Sequence, residues 1–108
     1  MQKFGFHEST VVALSSIAHK FEIELEDVSY GEKRVKVKIE VEGVTKLRVD
    51  SKLLDAVTMP MPDGEVLSLK YDDSSLDVLV EWNDFSTGHS VTHSYDILGD
   101  KVEANVIL

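Results

Sequence analysis

Two stretches, Phe21-Glu22-Ile23-Glu24-Leu25-Glu26 and Arg34-Val35-Lys36-Val37-Lys38-Ile39-Glu40-Val41, decide the fold class. Apolar and charged residues alternate in both with a period of two. Successive side chains of a strand point to opposite faces, so each stretch reads as a β-strand with one buried and one wet face. Ser29-Tyr30-Gly31 lies between them, and Gly31 can supply the positive φ that a tight hairpin needs. The reading predicts that Leu25, Ile23 and Phe21 oppose Val35, Val37 and Ile39 on the core face. Glu26, Glu24 and Glu22 then oppose Arg34, Lys36 and Lys38 on the wet face.

Working outward, the same grammar recurs. Leu76, Val78, Val80 and Trp82 form a third apolar stripe; Val91, His93, Tyr95 and Ile97 a fourth; Val102, Ala104, Val106 and Leu108 a fifth; Val66 to Tyr71 a sixth. Asp72-Asp73-Ser74-Ser75, Asn83 to Gly88, Glu42-Gly43 and Leu98-Gly99-Asp100 carry turn chemistry. The expected fold is all-β, with about eight mostly antiparallel strands, mostly sequential neighbours, in a sandwich or barrel-like arrangement. One short helical turn is expected near residues 51–56, with Asp50 or Ser51 as its N-cap. Pro60 and Pro62 enforce an extended linker after it.

The chain, residues 1–108, reads as a single domain with an internal duplication of 7–49 in 62–106. Glu8 to Leu14 resembles Asp63 to Leu69, Phe21 to Leu25 lies over Leu76 to Val80, and Val35, Ile39, Val41 and Gly43 lie over Val91, Tyr95, Ile97 and Gly99. By that analogy residues 10–17, which also fit a helical period, are a strand. Trp82 reads as a core residue whose indole N–H reaches a partner at the rim.

With 108 residues, 43% of them hydrophobic and 29% charged, the chain can build one core without a disulfide or metal staple. It has no cysteine, which excludes a thiolate metal site and a cysteine nucleophile. Met1 to His7 lacks an apolar h-region and no apolar run approaches a membrane span, so the expectation is a cytoplasmic protein without membrane contact.

The chemical motifs are absent. His89 and His93 stand four apart in a strand, about 13 Å, too far for one metal ion. His93 shares its face with Val91 and Tyr95, whereas Asp77 and Glu81 occupy the wet face of their strand. Asp72, Asp73 and Asp84 read as turn residues and lack calcium-loop spacing. No nucleophile elbow, phosphate loop or zinc-protease motif occurs. The expectation is a non-enzyme with no cofactor and no metal.

The net charge is −9, and it is unevenly placed: residues 1–50 hold 8 Lys/Arg and 9 Asp/Glu, whereas residues 51–108 hold 3 and 11. Such a surface repels nucleic acid and attracts basic protein partners. The predicted docking residues are the acids of the second half: Asp72, Asp73, Asp77, Glu81, Asp84, Asp96 and Asp100.

Several fragments together carry a resemblance. Phe6-His7-Glu8-Ser9-x-Val11 precedes an alternating hairpin ending Leu25-Glu26-Asp27-Val28. Val41-Glu42-Gly43-Val44, Gly64-Glu65-Val66-Leu67-Ser68-Leu69 and Glu81-Trp82 follow. The pattern resembles small acidic β-rich immunity proteins of bacterial polymorphic toxin and contact-dependent inhibition systems. The resemblance implies a non-enzymatic inhibitor that binds a toxin domain and blocks its active site; it transfers no binding residue. Two other readings stand beside it. One is a phage- or plasmid-encoded acidic inhibitor that mimics nucleic acid. The other is a β-barrel small-ligand binder or weak hydrolase, marked by an open apolar cavity with polar groups converging near His93 and Tyr95.

Overall fold

The computed structural model describes residues 4–107, and among them the chain is all strand and turn, with no helix. Ten strands follow in order: β1 (Phe4–Gly5), β2 (Thr10–Ile17), β3 (Lys20–Tyr30), β4 (Lys33–Glu42), β5 (Lys46–Val49), β6 (Lys52–Leu53), β7 (Asp63–Tyr71), β8 (Ser75–Asp84), β9 (His89–Leu98) and β10 (Lys101–Ile107). They form one sheet in the order β10-β4-β3-β2-β7-β8-β9-β5-β6, with β1 paired to the end of β3. Every pairing is antiparallel. Eight strands have four residues or more, and the two short ones account for the excess over the expected number. The sheet does not close into a barrel; β10 and β6 end it. No helix of the described residues is long and apolar enough to cross a membrane.

The sheet is two three-stranded meanders, β2-β3-β4 and β7-β8-β9, whose apolar faces share one core. Phe21, Ile23, Leu25, Val37, Ile39 and Val41 contribute from the first; Val66, Leu76, Val80, Trp82, Tyr95 and Ile97 from the second. The alternation in the sequence is what makes this possible, because the inward-facing positions of these strands are mostly apolar. Trp82 is fully buried, and its indole N–H donates to the Tyr95 hydroxyl at 2.8 Å, which satisfies the one polar atom the ring brings inside.

The halves pair residue for residue. Val11 opposes Leu25, Ala13 opposes Glu24 and Leu14 opposes Ile23, with a bulge after Val11. Adding 55 to each number gives the pairs of the second half, Val66–Val80, Ser68–Leu79 and Leu69–Val78, with its bulge after Val66. The halves meet at β2 and β7, where Thr10 opposes Glu65, its own counterpart. The connections then exchange edges. The chain leaves β4 through Gly43 and runs as β5 along β9, where Leu47 opposes Ile97; it leaves β9 through Gly99 and runs as β10 along β4, where Val102 opposes Val41. Matching backbone bonds hold the crossings: Val44 N–H donates to the His19 carbonyl, and Gly99 N–H to the Ser74 carbonyl. A Cβ on Gly99 would stand 2.6 Å from a Val41 methyl and 2.7 Å from the Glu42 carbonyl, so the crossing is as close as a hydrogen side chain allows.

Three expectations are corrected. The β3–β4 hairpin turns at Gly31-Glu32, with Tyr30 opposite Lys33. Glu26 and Asp27 then share one position opposite Lys36, with Asp27 at φ 59°, and beyond this bulge Leu25 opposes Val37, Ile23 opposes Ile39 and Phe21 opposes Val41. The expected pairs are displaced by two residues, so the apolar set still faces inward, but Glu24 opposes Lys38 and Glu22 opposes Glu40. The turn lies further along the chain than expected, which displaces the pairing by three, and the bulge takes one back; neither leaves a mark in the alternation. Second, residues 51–56 form no helical turn. Asp50 and Ser51, at φ 52° and 70°, make the hairpin turn between β5 and β6, the left-handed pair that matches strand twist. Third, strand order departs from a plain meander, because the connections that exchange edges place β10 beside β4 and β5 beside β9.

Candidate functional site: an acidic sheet face and a histidine cleft

The outer face of β7-β8-β9-β5 carries three of the seven predicted docking residues, Asp77, Glu81 and Asp96, in transverse rows. One row reads Lys70, Asp77, Asp96, Arg48 across the four strands; a second reads Glu65, Glu81, Thr92 across three. Each row therefore sets two carboxylates directly opposite one another, a cross-strand arrangement that is destabilising by itself. The Asp77 carboxyl is pushed up to about 6, first by a hydrogen bond to the Asp96 carboxyl and then by burial. None of Asp72, Asp73, Asp77, Glu81, Asp84, Asp96 and Asp100 forms an ion pair among the described residues.

The outer face of β3-β4 is the contrast. Lys20 bridges Glu40 at 2.6 Å and Glu22 at 3.3 Å, Lys38 reaches Glu22 at 3.6 Å, and Lys36 reaches Glu26 at 3.4 Å. Glu40 and Glu22 in turn hold the Lys20 ammonium above its ordinary range. That face neutralises itself, so its charge pattern projects little field beyond the surface.

The seven predicted residues do not make one patch. Asp72, Asp73, Asp77, Asp96 and Asp100 gather where β8 starts and β9 ends, joined there by the bond from Gly99 N–H to the Ser74 carbonyl. Asp84 closes the other end of β8, seven residues and roughly 23 Å from Asp77. Two of the seven also serve local structure. Asp72 Oδ1 accepts from the Ser74 and Ser75 N–H groups at 2.9 and 2.8 Å, and the Ser74 bond leads in holding the Asp72 carboxyl below its ordinary range. Asp84 Oδ1 accepts from the Ser86 hydroxyl at 2.6 Å and is lowered chiefly by it. Asp77 with Asp96, and Glu81 with Glu65, which the sequence reading did not include, are the like-charged pairs of the face.

A second constellation lies under the β5–β6 hairpin. Asp50 Oδ2 accepts from His93 Nδ1 at 2.6 Å, and Asp50 Oδ1 accepts from the Ser94 N–H at 2.9 Å. The Ser94 bond leads, followed by His93, in holding the Asp50 carboxyl below its ordinary range. Beside this pair is a cleft of about 210 Å³ walled by Val49, Leu54, Ala56, Val57 and Pro60. Thr58, His93 and Tyr95 line it too. Residues 54–58 form one wall because Val57 N–H donates to Ser16 Oγ at 2.9 Å and Thr58 bridges to Ser15, which ties the segment across to β2. The cleft was foreshadowed by His93 and Tyr95 sharing a stripe. Asp50 was missed as the partner because it lies 43 residues away and resembled a helix cap.

No group of three or more His, Cys, Asp or Glu among the described residues converges as metal ligands would. Comparison with family models, with curated proteins and with solved structures finds nothing that matches this chain.

Proposed function

We propose that the chain is a non-enzymatic protein-binding module, of the immunity type that its sequence resembles, which neutralises a basic toxin domain in the cytoplasm. The observation that carries the reading is the outer face of β7-β8-β9, where Glu65–Glu81 and Asp77–Asp96 stand as like-charged pairs without ion-pair partners. Two carboxylates held together are a standing cost to the free protein, and a Lys or Arg from a partner removes it on docking. The binding free energy thus includes relief of a repulsion that a neutral or acidic partner cannot provide. A surface mimicking nucleic acid is supported less well, because Ser68, Leu79 and Ser94 interrupt the carboxylates between the two rows.

The test uses the protein encoded immediately upstream of this chain's gene as the probe. The expected result is association that slows in high salt and is slowed about tenfold or more by Asp77→Lys with Glu81→Lys. Glu22→Lys with Glu24→Lys should alter it far less. If the second pair slows association more than the first, with both variants folded, the docking face is wrong. If the upstream product does not bind at all, the immunity reading is wrong.

A further inference from the structure

The two halves agree in register along most of their length; besides the β3–β4 bulge, which β8–β9 lacks, they differ at one further place. In the first half Val37 and Ile39 of β4 fill the core opposite Leu25 and Ile23. The corresponding positions of β9, opposite Val80 and Val78, hold His93 and Tyr95. The flanking strands differ at the same point. Along β4, β10 continues to Ile107 opposite Lys36 and covers that edge. Along β9, β5 stops at Val49 opposite Tyr95, and the chain turns back at Asp50-Ser51. Beyond Val49 only Asp50 still meets β9, its N–H donating to the Ser94 carbonyl at 2.8 Å, and the cleft of about 210 Å³ lies where the flanking strand ends.

An unfilled gap beside a core is costly, and a polar side chain in an apolar stripe is costly unless partnered. Here both occur together, and the histidine is oriented. The Asp50 carboxylate can only accept, so the proton of the neutral imidazole sits on Nδ1, and Nε2 keeps a lone pair. Nε2 makes no hydrogen bond among the described residues. The Tyr95 hydroxyl is already engaged by the Trp82 indole. The cleft therefore offers mainly apolar walls, the Thr58 side chain and one oriented acceptor at His93. The Asp50 charge disfavours an anion there. An enclosed apolar cavity of about 150 Å³ holds a benzene ring; this cleft of about 210 Å³ is open to solvent on one side and has room for one ring lying against its wall.

From this we propose that the cleft between the 54–60 segment and β9 is a binding site for a neutral single-ring compound carrying a hydroxyl. The ring packs against Val49, Leu54 and Val57, and its O–H donates to His93 Nε2. The site is separate from the acidic outer face, because His93 and Tyr95 belong to the inward-facing stripe of β9 and Asp77, Glu81 and Asp96 to the outward one.

The experiment is an NMR titration of the isotope-labelled full chain with phenol, toluene and benzoate. Phenol is expected to shift the amides of Val49, Ala56, Val57 and Tyr95 saturably and to bind about tenfold tighter than toluene, the worth of one neutral hydrogen bond; benzoate should bind more weakly than phenol. His93→Leu should bring phenol down to toluene's affinity, and Ala56→Phe should block both. The imidazole nitrogens of the unmutated protein give a readout that needs no variant: His93 must carry its proton on Nδ1, and Nε2 must move on addition of phenol. Equal affinity for phenol and toluene, shifts scattered over the surface, absence of saturation, or a proton on Nε2 would each overturn the proposal.

Discussion

Asp77 shows what one side chain reports about this surface. Its carboxyl is raised from 3.8 to about 6 by Asp96 across the strand pair. A carboxyl raised on folding favours the protonated folded state, so its contribution to stability is present at low pH and is lost as pH rises from about 4 through about 6. The side chain is exposed, so solvent screens most of the penalty. Asp77→Asn should therefore stabilise the free protein at pH 7 by about 0.5–1 kcal/mol, with the gain fading below about pH 4. Urea unfolding of both proteins across that range checks it; an unchanged difference at pH 3 and pH 7 would show that the pair does not repel. Gly64 marks the opposite, sterically determined kind of residue. A Cβ there would lie 2.6 and 2.8 Å from two carbons of the buried Trp82 ring, so Gly64→Ala should cost about 1–3 kcal/mol by overpacking. A midpoint equal to the wild type would mean that the ring can shift.

The β5–β6 hairpin is the element on which both the fold and the cleft depend. Its turn places Ser51 at φ 70°, a left-handed conformation that a side chain with a Cβ adopts at a cost. Ser51→Gly should raise stability by about 0.5–1 kcal/mol, the relief of that strain less the added freedom of the unfolded chain. Thermal unfolding measures it, and a loss would show that the turn is not left-handed in solution. The turn was hidden in the sequence because Asp50-Ser51-Lys52-Leu53-Leu54 has good capping chemistry and no glycine. The same left-handed geometry appears at Asp27, where it creates the bulge that displaces the β3–β4 register. Aspartate tolerates that conformation better than most residues, but nothing in an alternating run announces which aspartate will use it.

At the scale of the whole molecule, each half completes the other. β4 is covered by β10, which follows the second meander, and β9 is covered by β5, which follows the first. Cutting the chain between the halves leaves each with a shortened sheet and its apolar face in water. Separately produced fragments 1–61 and 62–108 should be unfolded alone, with no cooperative transition, and should regain β-structure on mixing. A fragment that folds alone would show that the exchange of edges is dispensable. We propose that the common register of the halves, including the bulge at the same place in each, records duplication of one three-stranded unit with its edge strand.

Sequence alone determined the strand class, the inward residues from Phe21 to Val41 and from Leu76 to Ile97, the burial of Trp82 with its N–H partnered, and the uneven distribution of charge. These are local or strictly periodic properties, and a period of two survives any pairing that keeps the faces. Bulges, strand order and the joining of Asp50 to His93 depend on which backbone groups meet across the sheet, and only the tertiary structure decided them. The candidate site divides in the same way: Asp77, Glu81 and Asp96 could be placed on an outward face by counting, whereas their opposition as like-charged pairs needed the register. The cleft exists because β5 stops where β10 continues, a difference in neighbours that neither strand's own residues express.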